Sequence, residues 1–252
     1  MSTQIFDNPL AQVRADKAGP VHTLNAATNA FLYSPEGETA WVRGPSQTSE
    51  SSDAQAFPAN SVPSSGAQGQ TSFEAHGISI RPFRLEDARP LYDAVRESLG
   101  ALCGWMIWCR LDYSLEDSRS FIASCDSAWE RGEHYSFAII DAKDQSFLGS
   151  VGLNHLNRVH NFANVGYWVR QRSARRGIAT AATRLIAWFG LNEIGLERLE
   201  ILVPTSNVAS LRVAQKAGAK FEGILRHRLL LSGRRHDAAM YSIVANDLPH
   251  QR

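Results

Sequence analysis

The chain has almost no excess charge of either sign. Its 26 Lys and Arg nearly balance 25 Asp and Glu, a formal +1 over 252 residues. No block of like charge stands out, so the basic footprint that tracks a nucleic-acid backbone is missing. No strongly acidic or basic partner is implied. Cysteine is also scarce: Cys103, Cys109 and Cys125 are odd in number and form no Cys-x-x-Cys pair. This spacing suggests neither a disulfide framework nor a metal site, and three reduced, buried, apolar thiols in a cytoplasmic protein are expected. Long apolar runs are absent as well. Met1 to Leu10 contains Asp7 and Pro9 and lacks the apolar core of a signal peptide. The most apolar stretch, Leu99 to Cys109, falls well short of the roughly 20 residues that span a bilayer. These absences predict a soluble chain with no membrane, metal or direct nucleic-acid contact, and leave a homodimer open.

What is present divides the chain in two. Gly44 to Ser72 is built from Ser, Gln, Ala, Pro and Gly, with Phe57 its one large apolar side chain. Such a segment buries too little apolar surface to offset its ordering entropy. Residues 1–43 show no sustained period, only a possible helix near Gln4–Val13 or strand near Thr39–Val42. Residues 1–75 are therefore expected to be an extension, largely disordered or low in complexity, and residues 76–252 a folded domain.

From Gly77 onward the periodicity is regular. Ile78, Ile80 and Pro82 alternate as a strand, and Leu85, Ala88, Leu91, Tyr92 and Val95 form a helical stripe. Ser114-Leu-Glu-Asp117 reads as a capping box before a second helix carrying Phe121, Ile122, Cys125 and Trp129. Three strand-like runs follow at about 135–141, 147–156 and 162–170, then a helix with Ile178, Ala181, Ala182, Leu185 and Ile186 on one face. A strand over Leu199–Val203, a helix closed by Gly218, and a hairpin turning at Ser232-Gly233 complete the order. The order β-α-α-β-β-β-α-β-α-β-β predicts an α/β (α+β) domain with a mixed, mostly antiparallel sheet of about seven strands and helices on both faces.

The strongest functional signal lies between Tyr167 and Thr180. A strand ends, a basic turn containing Arg175 and Arg176 follows, and a helix begins at Gly177-Ile178-Ala179-Thr180. The first turn of a helix has unpaired N–H groups at the positive end of its dipole, so an anion is favoured there. Small residues let backbone amides approach a pyrophosphate, and arginines add forked donors. Alone, the segment reads equally well as a solvated basic turn. A second motif changes those odds: Asn207-Val-Ala-Ser210, then Val213, Lys216, Gly218, Phe221 and Gly223.

With Trp105-Met-Ile-Trp108, Asn161-Phe-Ala-Asn-Val-Gly-Tyr-Trp-Val169 and Gly233-Arg-Arg-His-Asp-Ala-Ala-Met-Tyr-Ser242, these motifs make residues 77–248 resemble the GNAT superfamily of N-acetyltransferases, nearest the RimJ/RimL branch. The resemblance implies acetyl-CoA as co-substrate and a sheet splayed at Val169. The backbone at Trp168 and Val169 would bond the pantetheine, the amides of Arg175 to Thr180 the pyrophosphate, and Asn207 and Ser210 would face the pantetheine arm. In that branch the acceptor is the N-terminal alanine or serine of a ribosomal protein. A small amine acceptor, or an acyl-CoA-binding sensor without catalysis, stays open. The loop departs from the family pattern: Ala174 holds the usual Arg/Gln position, and Arg175 stands where many relatives have glycine.

Amine acetylation needs a base for the ammonium proton and a donor for the departing thiolate. The resemblance points to Glu200 as base and Ser210 as hydrogen-bond donor, because the usual acid tyrosine would fall at Ala214. Glu200 also reads as an ordinary strand carboxylate. Asn154 and His155 fall within reach of an acceptor cleft, and Trp105 and Trp108 fall in the connection that overhangs it; each also reads as a structural residue.

Overall fold

The computed structural model describes residues 72–248; the helix and strand considered at Gln4–Val13 and Thr39–Val42 lie outside them. The strands are β1 (Phe73–Ala75), β2 (Ile78–Pro82), β3 (Tyr135–Asp141), β4 (Phe147–Asn157), β5 (Phe162–Val169), β6 (Arg198–Pro204), β7 (Lys220–Leu231) and β8 (Arg234–Ile243). The helices are α1 (Ala88–Leu102), α2 (Leu115–Glu130), α3 (Ile178–Trp188) and α4 (Val208–Ala217). All the strands join one sheet in the order β1-β2-β3-β4-β5-β6-β8-β7. It is mixed, as the element order predicts, with β5 and β6 its parallel pair. The sheet has eight strands rather than about seven. The additional one, β1, is only three residues long and pairs with β2, too short to show a period.

Strand alternation places two apolar layers on opposite faces of the sheet. Phe137 and Ile139 of β3 pack with Ile178, Ala182 and Ile186 of α3, together with Leu199, Ile201 and Val203 of β6. Ala138 and Ile140 turn the other way, toward Leu91, Val95, Phe121 and Ile122 of α1 and α2. Helix α2 begins as its sequence predicts. Ser114 Oγ accepts the Asp117 N–H at 3.2 Å, and the Asp117 carboxylate accepts the Ser114 N–H at 2.7 Å, satisfying two orphan donors reciprocally.

The cysteines correct the sequence reading. Cys103 and Cys109 are joined by a disulfide with Cα atoms 4.8 Å apart, while Cys125 is free and buried. A turn through Gly104 and Trp105 folds the chain back after α1, with the N–H groups of Trp105 and Met106 both bonded to the Leu102 carbonyl at 2.8 Å. That turn brings together two cysteines whose spacing alone gave no sign of pairing. Burial pushes the Cys125 thiol up to about 12, so it is an inert packing residue.

Candidate active site

The site begins where the sheet comes apart. Strand β5 pairs with β6 only at Phe162–Arg198, Ala163–Leu199 and Asn164–Glu200. Both strands then continue, β5 to Val169 and β6 to Pro204, with no ladder between them. Each is held elsewhere: β5 pairs with β4 as far as Val169, and β6 with β8 as far as Pro204. The gap is therefore built in, leaving one edge of β5 open from Val165 to Val169. An open strand edge presents unpaired amides and carbonyls to any extended, amide-bearing ligand.

A cavity of about 510 Å³ occupies this fork. Gly166 and Tyr167 form one wall, Ile201 and Leu202 another, and Asn207 and Ser210 contribute from the start of α4. Trp105 and Met106, inside the disulfide-closed loop, lie over it. The Tyr167 hydroxyl lies 2.7 Å from Ser210 Oγ and donates to the Ser210 carbonyl at 3.2 Å. Burial raises the Tyr167 phenol to about 12, keeping it protonated and able to donate.

At the far end of β5, the chain turns into α3 through a left-handed pair of residues. Arg175 has φ 64° and Gly177, the N-cap, has φ 82°. No side chain caps the helix, and its first bond runs from the Ala181 N–H to the Gly177 carbonyl at 3.0 Å. The amides of Ile178, Ala179 and Thr180 consequently have no acceptor within the helix. A Cβ placed on Gly177 would meet no atom within 4 Å. Glycine is thus needed there for its φ, and the space before the helix is open. A second cavity at this end carries His76, Arg176, Arg184 and Lys216, a basic ring around an exposed helix N-terminus.

Helix α1 fixes this turn. Arg170, 8% exposed, donates to Glu97 through Nη2 at 2.6 Å and Nε at 3.1 Å. The Arg172 amide donates to the same carboxylate at 3.0 Å, and the Gln171 amide to Ser98 Oγ at 2.9 Å. Partial burial opposes ionisation of Glu97. The Arg172 amide and the Arg170 guanidinium outweigh it and hold the carboxyl below its usual range.

Comparison with known proteins places this strand fork and glycine-started helix in a family. The model of the acetyltransferase (GNAT) domain matches residues 78–220. The chain belongs to this family. Among its relatives, the Bacillus subtilis (strain 168) protein named probable N-acetyltransferase YjcK is 32% identical over 172 residues, covering 68% of this chain and 95% of YjcK. Two Escherichia coli (strain K12) enzymes, a ribosomal-protein-serine acetyltransferase and a spermidine N(1)-acetyltransferase, are each 24% identical, covering 68% and 65% of this chain and 92% and 84% of their own lengths. The solved structure of Mycobacterium smegmatis RimJ in complex with CoA-disulfide is similar at 25% identity and TM-score 0.63, over 69% of this chain and 84% of that one.

In this acetyltransferase domain the residues singled out in the sequence fall into three groups. Trp105, His155, Asn207 and Ser210 line the fork cavity, with the Asn207 side chain also accepting the Ser210 amide at 3.1 Å as the α4 cap. Val169 ends the open edge of β5, while Arg175, Arg176, Gly177, Ile178, Ala179 and Thr180 form the turn and first residues of α3. The side chains of Trp108 and Trp168 instead pack on each other, ring centroids 6.1 Å apart, on the α1–α2 side. Arg176 lies 3.6 Å from Asp141, which takes up part of its charge. Glu200 is turned to Arg198, whose Nε donates to it at 3.0 Å, and it is absent from the cavity wall.

Asn154, Asn164 and Tyr167 complete the picture. Asn154 is buried and accepts Asn164 Nδ2 at 2.9 Å. Asn164, 7% exposed, lies at the last rung before the fork and lines the cavity, and its Oδ1 has no partner among the described residues. His155 sits at an irregularity between β4 and β5 with φ 51° and is among the residues lining the cavity. Sequence reading did not single out Asn164 or Tyr167. Their apolar-polar alternation with Val165 and Trp168 gives the strand, and only the splay shows which side chains border a cavity.

Proposed function

We propose that the chain acetylates the N-terminal amine of a protein, with acetyl-CoA as donor. The fork between β5 and β6 carries this reading, because it runs from the basic end of α3 to the cavity beneath Trp105. Acetyl-CoA supplies a thioester-activated acyl group. The residues fit such a ligand: an open strand edge at Val165–Val169 suits an amide-bearing arm, and Arg176, Arg184 and Lys216 beside free amides suit its phosphates. The Ser210 hydroxyl, held 2.7 Å from the Tyr167 oxygen whose own proton goes to the Ser210 carbonyl, is placed to donate toward the departing sulfur. Asn164 Oδ1 would receive and orient the attacking amine, and His155, directly or through water, would accept its proton. Glu200, occupied by Arg198, would hold the fork's last rung in register rather than reach the amine.

The cavity wall supports this acceptor class. Among the described residues its lining includes His155 and Arg228 and no Asp or Glu. A polyamine carries several cations and needs carboxylates to replace its water; a chain terminus carries one, with amides behind it. The test is thiol release from acetyl-CoA with peptides beginning Ser or Ala against spermidine, for the wild type and His155→Gln, Asn164→Ala and Glu200→Gln. The proposal expects peptide-dependent release, lowered at least tenfold by the first two substitutions and less by the third. Release driven by spermidine alone would overturn the acceptor. Unchanged rates in His155→Gln and Asn164→Ala would overturn the assigned roles.

A further inference from the structure

The balanced overall charge conceals a local excess that the sequence reading did not foresee. Arg226 and Arg228 lie on β7, and Arg234 and Arg235 begin β8; all four are exposed. None forms an ion pair among the described residues. The hairpin carries two acids, and both are occupied. Glu222 receives Arg198 at 2.7 Å and Ser242 Oγ at 2.6 Å, and Asp237 receives the His227 amide at 2.8 Å. The antiparallel register sets Arg235 opposite Leu230 and Arg234 opposite Leu231. Leu230 and Leu231 line the fork cavity, as does Arg228 itself. Arg228, Arg234 and Arg235 therefore stand at the rim of the cavity assigned above to the acceptor, with Arg226 two residues along the same strand.

We infer that this hairpin docks acidic side chains in the first few residues of the acceptor, so that the preferred substrate is a protein with an acidic N-terminal segment. The inference rests on the acceptor reading above. Guanidinium groups without internal partners are free to fork onto carboxylates, and a cavity wall lacking acids does not compete for them. Nucleic acid suits the surface less well. Four arginines fall below the six to ten phosphate contacts of a typical site, roughly counted, and the only aromatics on the hairpin, Phe221 and Tyr241, pack together 5.4 Å apart at its other end.

The test uses the full-length chain and peptides starting with a free Ser, labelled at the C-terminus, with Asp/Glu, Gln or Lys at the next five positions. Binding is read by fluorescence anisotropy at low and moderate salt, and acetyl transfer by thiol release on the same peptides. The acidic peptide should bind roughly tenfold more tightly than the neutral one, with the advantage shrinking as salt screens it. The double variant R234E/R235E, exposed at both positions and checked for an unchanged melting transition, should reverse the order toward the lysine peptide. Acetyl transfer without a charge preference would overturn the dock and leave N-terminal acetylation standing. Acid-selective binding with no transfer to any peptide would remove the peptide acceptor and the dock with it. An unstructured RNA that displaces the acidic peptide at lower concentration than the peptide itself binds would also overturn it.

Discussion

Gly149 offers a demanding test of how the fork is held open. It sits on β4 opposite Val169 with φ 154°. A Cβ there would lie 2.2 Å from the Trp168 carbonyl oxygen, 2.9 Å from Val169 Cα and 3.1 Å from the Trp168 carbonyl carbon. All three are backbone atoms, so no rotamer change relieves the clash, and β5 itself must shift. Gly149→Ala combines a disfavoured φ, about 1–2 kcal/mol, with overpacking of about 1–3 kcal/mol, or about 2–5 kcal/mol together. For a domain of this size that lowers Tm by roughly 4–20 °C. Gly223→Ala separates the two causes. Its φ is 151°, almost the same, yet nothing lies within 4 Å of its Cβ, so only the backbone component, about 1–2 kcal/mol, applies. Thermal melts followed by circular dichroism, with calorimetric titration of acetyl-CoA, give both readouts. Gly149→Ala should melt well below Gly223→Ala and bind acetyl-CoA more weakly, because pushing Trp168 and Val169 away from β4 moves the strand whose other edge is the open one. Equal losses in the two variants would refute the steric argument.

The remaining predictions concern the turn, its anchor and the acid limb. Arg175→Gly relieves a left-handed non-glycine residue and should stabilise the domain by about 1 kcal/mol in chemical denaturation; a loss of stability would mean the guanidinium makes contacts that outweigh the strain. Glu97→Ala leaves the buried Arg170 without its carboxylate and frees the Arg172 amide, costing about 2–3 kcal/mol and weakening acetyl-CoA binding measured by calorimetry. Glu222 is depressed from 4.5 to about 2, chiefly by its hydrogen bonds from Arg198 and then by Ser242. The stabilisation from this depressed carboxyl is fully present above pH 4.5 and is lost as pH falls toward 2, so Glu222→Gln should flatten the Tm profile in that window. The change should be modest, because the Glu222 side chain is 40% exposed and solvent screens the pair.

The α3 turn was half legible, because its backbone constraint is local and its chemistry is not. A left-handed N-cap needs glycine, but the basic turn alone read equally well as a solvated cap, and the motif from Asn207 to Gly223 was needed to favour an anion there. The element order was legible from periods of 2 and 3.6, with the caps at Ser114 and Gly218 marking helix ends. Features that depend on register were not. Arg226 and Arg228 on one strand meet Arg234 and Arg235 on the next only after the hairpin closes. Asn164 and Tyr167 gain their surroundings from the loss of pairing beyond Asn164, which no single strand announces. The Arg198–Glu200 pair could have been foreseen, since residues i and i+2 of a strand share a face. The Cys103–Cys109 bond depended on a turn that its residues do not specify.

The three rungs joining β5 to β6 also bear on how the sheet moves. One half, β1 to β5, is tied to the other, β6 to β8, by Phe162–Asn164 against Arg198–Glu200 and by the helices crossing one face. A seam this narrow is the natural line for sub-global opening, so amides along it should exchange with solvent sooner than those of β3 and β4, which are paired on both sides. A ligand bonded into the fork would act as a missing strand and stitch the halves together. Slowed hydrogen exchange at β6, with little change at β3, would be its signature, and the acetyl donor would then serve as a structural part of the sheet while it is held.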